Sequence, residues 1–429
     1  MPDPRNDRTQ IERAIARALA QGRISRRRFL RQAGKGGLIT ASALSLPAIL
    51  AACGISPSSA GTGSAVSSAS GAPVGGELSG ELIFANWPLY IDQDEDTGES
   101  PTLDQFTEAT GSTVDYQEAI QDNQEFFGTI QPQLEAGEPT GWDMIVMTDW
   151  MVGNMINLGY LEQIDVAAAV PNFVANADDK YKNPSYDPNN LHSVPWASGY
   201  TGIAYNPELT GREITGFADL LDPEFEGRIG MFSEVRDSLS LALLHNGVEP
   251  KDATEEDVRA ANEVLKEQAP LVRGYYGNEY AQELASGSLA VTMAWSGDVF
   301  QLQFDNPDLR FIIPEAGGIL WIDNMCIPKG AAHPADALAM MDFVFQPEIA
   351  AQMAEYINFI CPVPAAQDII RQHAEEAESE EDRDYYTAVA ESPLVFPTAE
   401  DLAKVHSYKV LSEEEEALWN ELFQEVTQG

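Results

Sequence analysis

Positive charge is what this chain has least of. Among 429 residues there are 25 Lys or Arg and 68 Asp or Glu, a net charge of −43. Ten of the bases lie within residues 1–52 beside three acids, so the remainder carries 15 bases against 65 acids. A surface that negative repels nucleic acid and anionic lipid and gathers cations. Nucleic-acid binding is excluded. Cysteine is scarce as well: Cys53, Cys326 and Cys361 are the only three, too few for a disulfide scaffold. The five histidines, His192, His245, His333, His373 and His406, never fall at metal-ligand spacing, and neither H-E-x-x-H nor G-x-S-x-G occurs. We therefore expect no metal, no cofactor and no enzyme. A secreted hydrolase stays as a remote alternative, resting on the carboxylates Glu234 and Asp237. They sit three apart in one segment, whereas paired catalytic acids normally come from separate strands. No repeat of solenoid period is present. What the chain does have is 44% apolar and 9% aromatic residues, enough for one large core or two medium ones.

The front of the chain reads as an address. Ser25-Arg26-Arg27-Arg28-Phe29-Leu30-Arg31 precedes 17 uncharged residues from Gly36 to Ala52, and the stretch ends Leu50-Ala51-Ala52-Cys53-Gly54. That run is marginal for a bilayer span, which needs about 20 residues. A basic region, a short apolar region and small residues at its end make residues 1–52 a signal peptide. The paired arginines resemble the twin-arginine export signal, and Leu-Ala-Ala-Cys-Gly resembles the bacterial lipobox, which would place lipid on Cys53. The expectation is an extracytoplasmic protein, in the periplasm or at the cell surface, touching the membrane only through that lipid. Residues 53–78 then form a Gly/Ser/Ala tether reaching roughly 25–30 Å. In that oxidising compartment, a Cys326–Cys361 disulfide and a pair of buried free thiols both fit the sequence.

From Glu81 onward short apolar runs alternate with helical stretches. Leu82–Asn86, Thr113–Tyr116 and Asp143–Thr148 read as strands; Leu103–Thr110, Asn123–Ala136 and about Trp150–Leu158 read as helices, two of them closed by Gly111 and Gly137. The pattern restarts near Thr201, Ile229, Ser288 and Gly318. Alternation of this kind predicts a parallel α/β architecture, which binds ligands beyond the carboxyl ends of its strands. Those ends carry Asn86, Trp87 and Tyr90; Thr148, Asp149 and Trp150; Glu234 and Asp237; Trp295; and Trp321 with Asp323. Any one strand-end aromatic is ordinarily packing. Five concordant segments suggest a site. Aromatic faces attract cations at about 0.5–2 kcal/mol each, and carboxylates grip ammonium groups at roughly 1.5–3 kcal/mol apiece. A neutral sugar would call for amides and fewer acids, so the balance points to an organic cation.

Asn86-Trp87-x-x-Tyr90, Asp143-Met-Ile-Val-x-Thr148, Gly317-Gly318-Ile-x-Trp321-x-Asp323 and Gln346-Pro347-Glu348 resemble segments of the spermidine/putrescine-binding proteins of ABC importers. The resemblance runs from about Leu82 to the C-terminus. It implies a two-lobed periplasmic-binding-protein fold of type II, hinged between lobes that close on a polyamine and deliver it to a membrane permease. It also implies a monomer. By position it assigns the ligand wall to Trp87, Tyr90, Thr148, Trp150, Glu234, Asp237, Trp295, Trp321, Asp323 and Phe359. Trp150 and Phe359 stand where the family has tyrosine, with Tyr356 a candidate substitute hydroxyl, and a C-terminal polar contact falls near Tyr408. The implied crossings lie near Thr201, Trp321–Asp323 and Gln367, giving lobe 1 as 79–201 plus 323–367 and lobe 2 as 202–322 plus 368–429. The alternatives are the same fold with another organic cation, or with a sugar. Asp92-x-Asp94-x-Asp96-x-Gly98 has the outline of a calcium loop, but its glycine is one place late and Leu103 stands where glutamate is needed. A solvated acidic insertion is the expected reading there.

Overall fold

The computed structural model describes residues 74–94 and 97–428. The expected signal peptide, the cysteine expected to carry lipid (Cys53) and the expected tether up to residue 73 lie outside the described residues. Among the described residues ten strands form one sheet: β1 (Glu81–Ala85), β2 (Thr113–Gln117), β3 (Met144–Thr148), β4 (Ser193–Tyr205), β5 (Ile229–Phe232), β6 (Val272–Tyr276), β7 (Val291–Trp295), β8 (Arg310–Ile312), β9 (Gly318–Cys326) and β10 (Val405–His406). Their order is β2-β1-β3-β9-β4-β7-β5-β6, with β8 beside β4 and β10 beside β9.

The expectation of a parallel sheet holds only toward the ends. β2-β1-β3 and β6-β5-β7 are both parallel triplets with the same internal order. Between them, β4 and β9 pair antiparallel with each other and with β7 and β3 respectively. The architecture is thus mixed α/β, one three-strand unit built twice and joined by two long strands. β4 is buried at all thirteen positions, so it shows no alternation of apolar and polar residues. That is why its first half, ahead of Thr201, escapes a reading by periodicity. Thr201 and Trp321–Asp323 fall within β4 and β9. Gln367, near which the third crossing is expected, lies in the helix Ala366–Glu376, which packs on Pro347–Ile357.

Local chemistry sets the helices that follow the strands. Ser100 caps Pro101–Thr110 by accepting from Leu103 N, and Gly111 ends it at a left-handed φ of 80°. Asp122 caps Asn123–Ala136 through Glu125 N, and Glu234 caps Val235–His245 through Arg236 N. Asp92 is not solvated. Its buried carboxylate accepts from Thr102 N at 3.2 Å, Ser100 Oγ at 3.2 Å and Gln352 Nε2 at 2.7 Å, fastening the loop to two helices. Cys326 and Cys361 are separate free thiols, both buried, which drops the disulfide alternative. Cys326 Sγ lies 3.7 Å from the Ile145 carbonyl and Cys361 Sγ 3.5 Å from that of Val363. Burial pushes the Cys361 thiol up to about 12. Among the described residues no helix is long and apolar enough to cross a membrane.

Candidate functional site

The carboxyl ends of β1, β3, β5 and β7 open on one cavity of about 860 Å³ between the two halves of the sheet. All ten residues named from strand-end position and resemblance line it: Trp87, Tyr90, Thr148, Trp150, Glu234, Asp237, Trp295, Trp321, Asp323 and Phe359. Tyr408 lines it too, whereas Tyr356 does not. Sequence reasoning missed Asp122, Asn123, Ser233, Tyr276 and Asn278 in the wall. Asp122 and Asn123 carried a usable signal, an N-cap pair directly following β2 and its loop.

Two carboxylates anchor the wall, one from each half. Asp323, on β9, accepts from Thr148 Oγ1 at 2.7 Å on one oxygen and from Tyr90 OH at 3.0 Å on the other. Thr148 is itself placed by Asn123, which donates to its hydroxyl at 2.9 Å and accepts its backbone N–H at 3.1 Å. Tyr90 is held from behind: Trp196 occupies the shift in register between β4 and β9 and donates to the Tyr90 carbonyl at 3.0 Å. Asp237, in the first turn of Val235–His245, accepts from both Thr201 Oγ1 and Tyr408 OH at 2.5 Å on a single oxygen. Burial raises both acids to about 6, against the opposing pull of these hydroxyls and, for Asp237, of the Trp295 indole.

Two further acids stand near them. Glu234 is half-buried, and desolvation together with the charges of Asp122 and Asp237 pushes it up to about 8. Asp149, which follows Thr148, is buried and raised well above the usual carboxylate range by desolvation. The four carboxylates that line the cavity are Asp122, Glu234, Asp237 and Asp323, with Asp149 behind the wall, and no Lys, Arg or His lines it among the described residues. No cluster of three metal-ligating side chains occurs among the described residues either.

The aromatic walls are locked by close approach to glycine. Phe359 packs edge-on against Trp321 at 5.3 Å and Tyr90 at 5.7 Å between ring centroids. A Cβ on Gly199 would come within 2.4 Å of the Trp321 ring, and one on Gly297 within 2.5 Å of the Phe359 ring. The rings occupy the space a side chain would take. Trp295 stacks on Phe232 at 4.4 Å and donates its backbone N–H to Tyr280 OH at 2.9 Å. Trp87 donates its indole N–H to the Val146 carbonyl at 3.0 Å. These contacts are made within the protein itself, which lowers the ordering cost of binding.

Residues 102–383 match the family of bacterial extracellular solute-binding proteins. The chain is 29% identical over 290 residues to a spermidine/putrescine-binding periplasmic protein of Salmonella typhimurium, covering 67% of this chain and 79% of that one. It is 25% identical over 345 residues to a putrescine-binding periplasmic protein of Pseudomonas aeruginosa, covering 76% and 86%. Among solved structures, a spermidine/putrescine ABC transporter substrate-binding protein of Streptococcus pneumoniae superposes with a TM-score of 0.66 at 25% identity, over 82% of this chain and 99% of that one.

Proposed function

The chain belongs to the bacterial extracellular solute-binding proteins, and we propose that it captures a polyamine, spermidine or putrescine, between its two halves and delivers it to an ABC permease. The observation that carries this reading is the sign of the cavity wall: four carboxylates, six aromatic or indole faces on Trp87, Tyr90, Trp150, Trp295, Trp321 and Phe359, and no base among the described residues. Asp323 and Asp237 each receive hydroxyl hydrogen bonds yet retain acceptor capacity, the arrangement an ammonium end requires. Aromatic faces suit the methylenes between the amines, at about 0.8 kcal/mol per buried CH₂. A neutral sugar would leave those acids facing hydroxyls, with charge uncompensated in a desolvated site. The similarity to polyamine-binding relatives supports the same cargo.

In this reading the lobes are 79–201 with 323–367 and 202–322 with 368–429, hinged at β4 and β9, and the protein works as an extracytoplasmic monomer tethered by lipid on Cys53. It binds and releases its cargo without chemical change. Titration calorimetry with putrescine and spermidine in about 0.5 M salt tests the cargo, because high salt screens non-specific attraction to the acidic surface. Saturable one-to-one binding that Asp323→Ala abolishes is the expected result. An absence of heat from a folded protein would overturn polyamine as the ligand.

A further inference from the structure

Beyond the ligand wall, the segment 408–416 ties the two halves together along one side of the cavity. On the second half, Tyr408 bonds Asp237, the Lys409 carbonyl accepts from Arg236 NH1 at 3.1 Å, and Lys409 Nζ reaches the Ala253 carbonyl at 2.7 Å. On the first half, Val410 lies over Gly153 in the helix Asp149–Asn157. A Cβ on Gly153 would meet the two Val410 methyls at 3.2 and 3.3 Å. Glycine inside a helix is less favourable than alanine, and the seat for Val410 gives this one a reason.

The end of the segment clasps both halves at once. Glu416 accepts from Gln124 Nε2 of the first half at 3.0 Å on one oxygen, and its other oxygen pairs with Arg236 NH2 of the second half at 3.3 Å. Arg236, buried, also lies over the Trp150 ring of the first half at 4.4 Å. Val410 remains among the more exposed apolar side chains, at 38%. A small contact, partly open to water, is one that a hinge motion makes and breaks at little cost.

We propose that residues 408–416 form a latching strap: Tyr408 contacts the carboxylate that the ligand engages, Val410 seats in the Gly153 notch, and Glu416 with Arg236 clasps the first half, so that occupancy and closure are coupled. The strap's contacts belong to the closed arrangement, and the ligand adds to their population. The coupling to occupancy rests on the polyamine reading; the seating of the strap does not.

The test therefore has two arms on the full chain. Without ligand, hydrogen exchange follows the amides of 149–157 and 408–416. Gly153→Ala is expected to raise exchange in both segments, and Val410→Ala in that background to restore it by relieving the tight contact. Unchanged exchange in Gly153→Ala, or no restoration in the double variant, overturns the strap whatever the cavity binds. With spermidine or putrescine, stopped-flow tryptophan fluorescence reads release. Gly153→Ala and Glu416→Gln are each expected to speed release about three- to tenfold, with the double variant returning toward the original rate. Normal release rates beside perturbed exchange overturn the coupling. An absence of polyamine binding in the unmodified chain overturns the cargo and with it the ligand coupling, while the exchange arm still decides the seating.

Discussion

The two halves of the cavity solve one problem with different parts. Each presents a carboxylate held by one threonine and one tyrosine hydroxyl, and each acid is raised to about 6 by burial. In the first half the supports spread over both carboxylate oxygens and come from the loop after β1 and from β3. In the second half they converge on one oxygen, and one of them, Tyr408, comes from the far end of the chain, 171 residues from Asp237. The first carboxylate is therefore built into the sheet, whereas the second depends on how the C-terminal segment is seated.

If both carboxylates grip ammonium ends, Asp323→Asn and Asp237→Asn should each weaken polyamine binding most. A charge-assisted hydrogen bond of roughly 1.5–3 kcal/mol corresponds to about 10- to 150-fold in affinity. Equal losses by calorimetry would make the halves equivalent; a loss in one alone would make the other a structural acid. Next come the glycines under the rings. Gly199→Ala and Gly297→Ala should each cost about 1–3 kcal/mol of stability through overpacking, read as a lowered Tm. No change in either would mean that Trp321 and Phe359 have room to move.

A smaller effect is expected from the tyrosines. Tyr408→Phe removes one of two hydroxyls on a single oxygen, and Tyr90→Phe removes the hydroxyl on the other oxygen of Asp323, so Tyr90→Phe should weaken binding by about 1 kcal/mol and Tyr408→Phe by less. The reverse order would break the contrast drawn between the halves.

The pH dependence follows from the raised acids. Asp237 and Asp323 keep their protons in the empty fold up to about pH 6, while the unfolded chain has lost them near 4. Their burial thus lowers stability as pH rises from about 4 through 6, and a bound cation opposes that loss. Affinity should rise between pH 5 and 7, with proton release on binding. Glu234, at about 8, extends the release into the neutral range. Calorimetry in two buffers of different ionisation enthalpy counts the protons, and a flat profile would mean the acids are already ionised when empty.

Much of the site was legible because strand ends carry their side chains to a common edge. Trp87, Thr148, Glu234 and Trp295 follow from that rule; Trp321 and Asp323, expected at a strand end, lie in mid-strand on β9, where only the resemblance placed them in the wall, and the resemblance also added Phe359. What stayed hidden depends on distant pairing. Gly199 and Gly297 matter only once Trp321 and Phe359 are folded over them, and nothing local marks either. The antiparallel course of β4 was concealed by uniform burial, which removes the alternation that reveals a strand. Asn123 and Arg236 act through partners 25 and more residues away, Thr148 and Glu416. The buried capping role of Asp92 was masked by the acidic run around it.

β4 has a consequence for how the protein is made. Its residues pair with β9 along one stretch and with β7 along another, so neither half has a complete sheet until the central strands are in place. β3 must wait for β9, which is synthesised about 170 residues later, to cover its open side. Such contacts raise the contact order and slow the search for the native state. The halves cannot mature one after the other as beads on a string, and they should melt in a single cooperative transition.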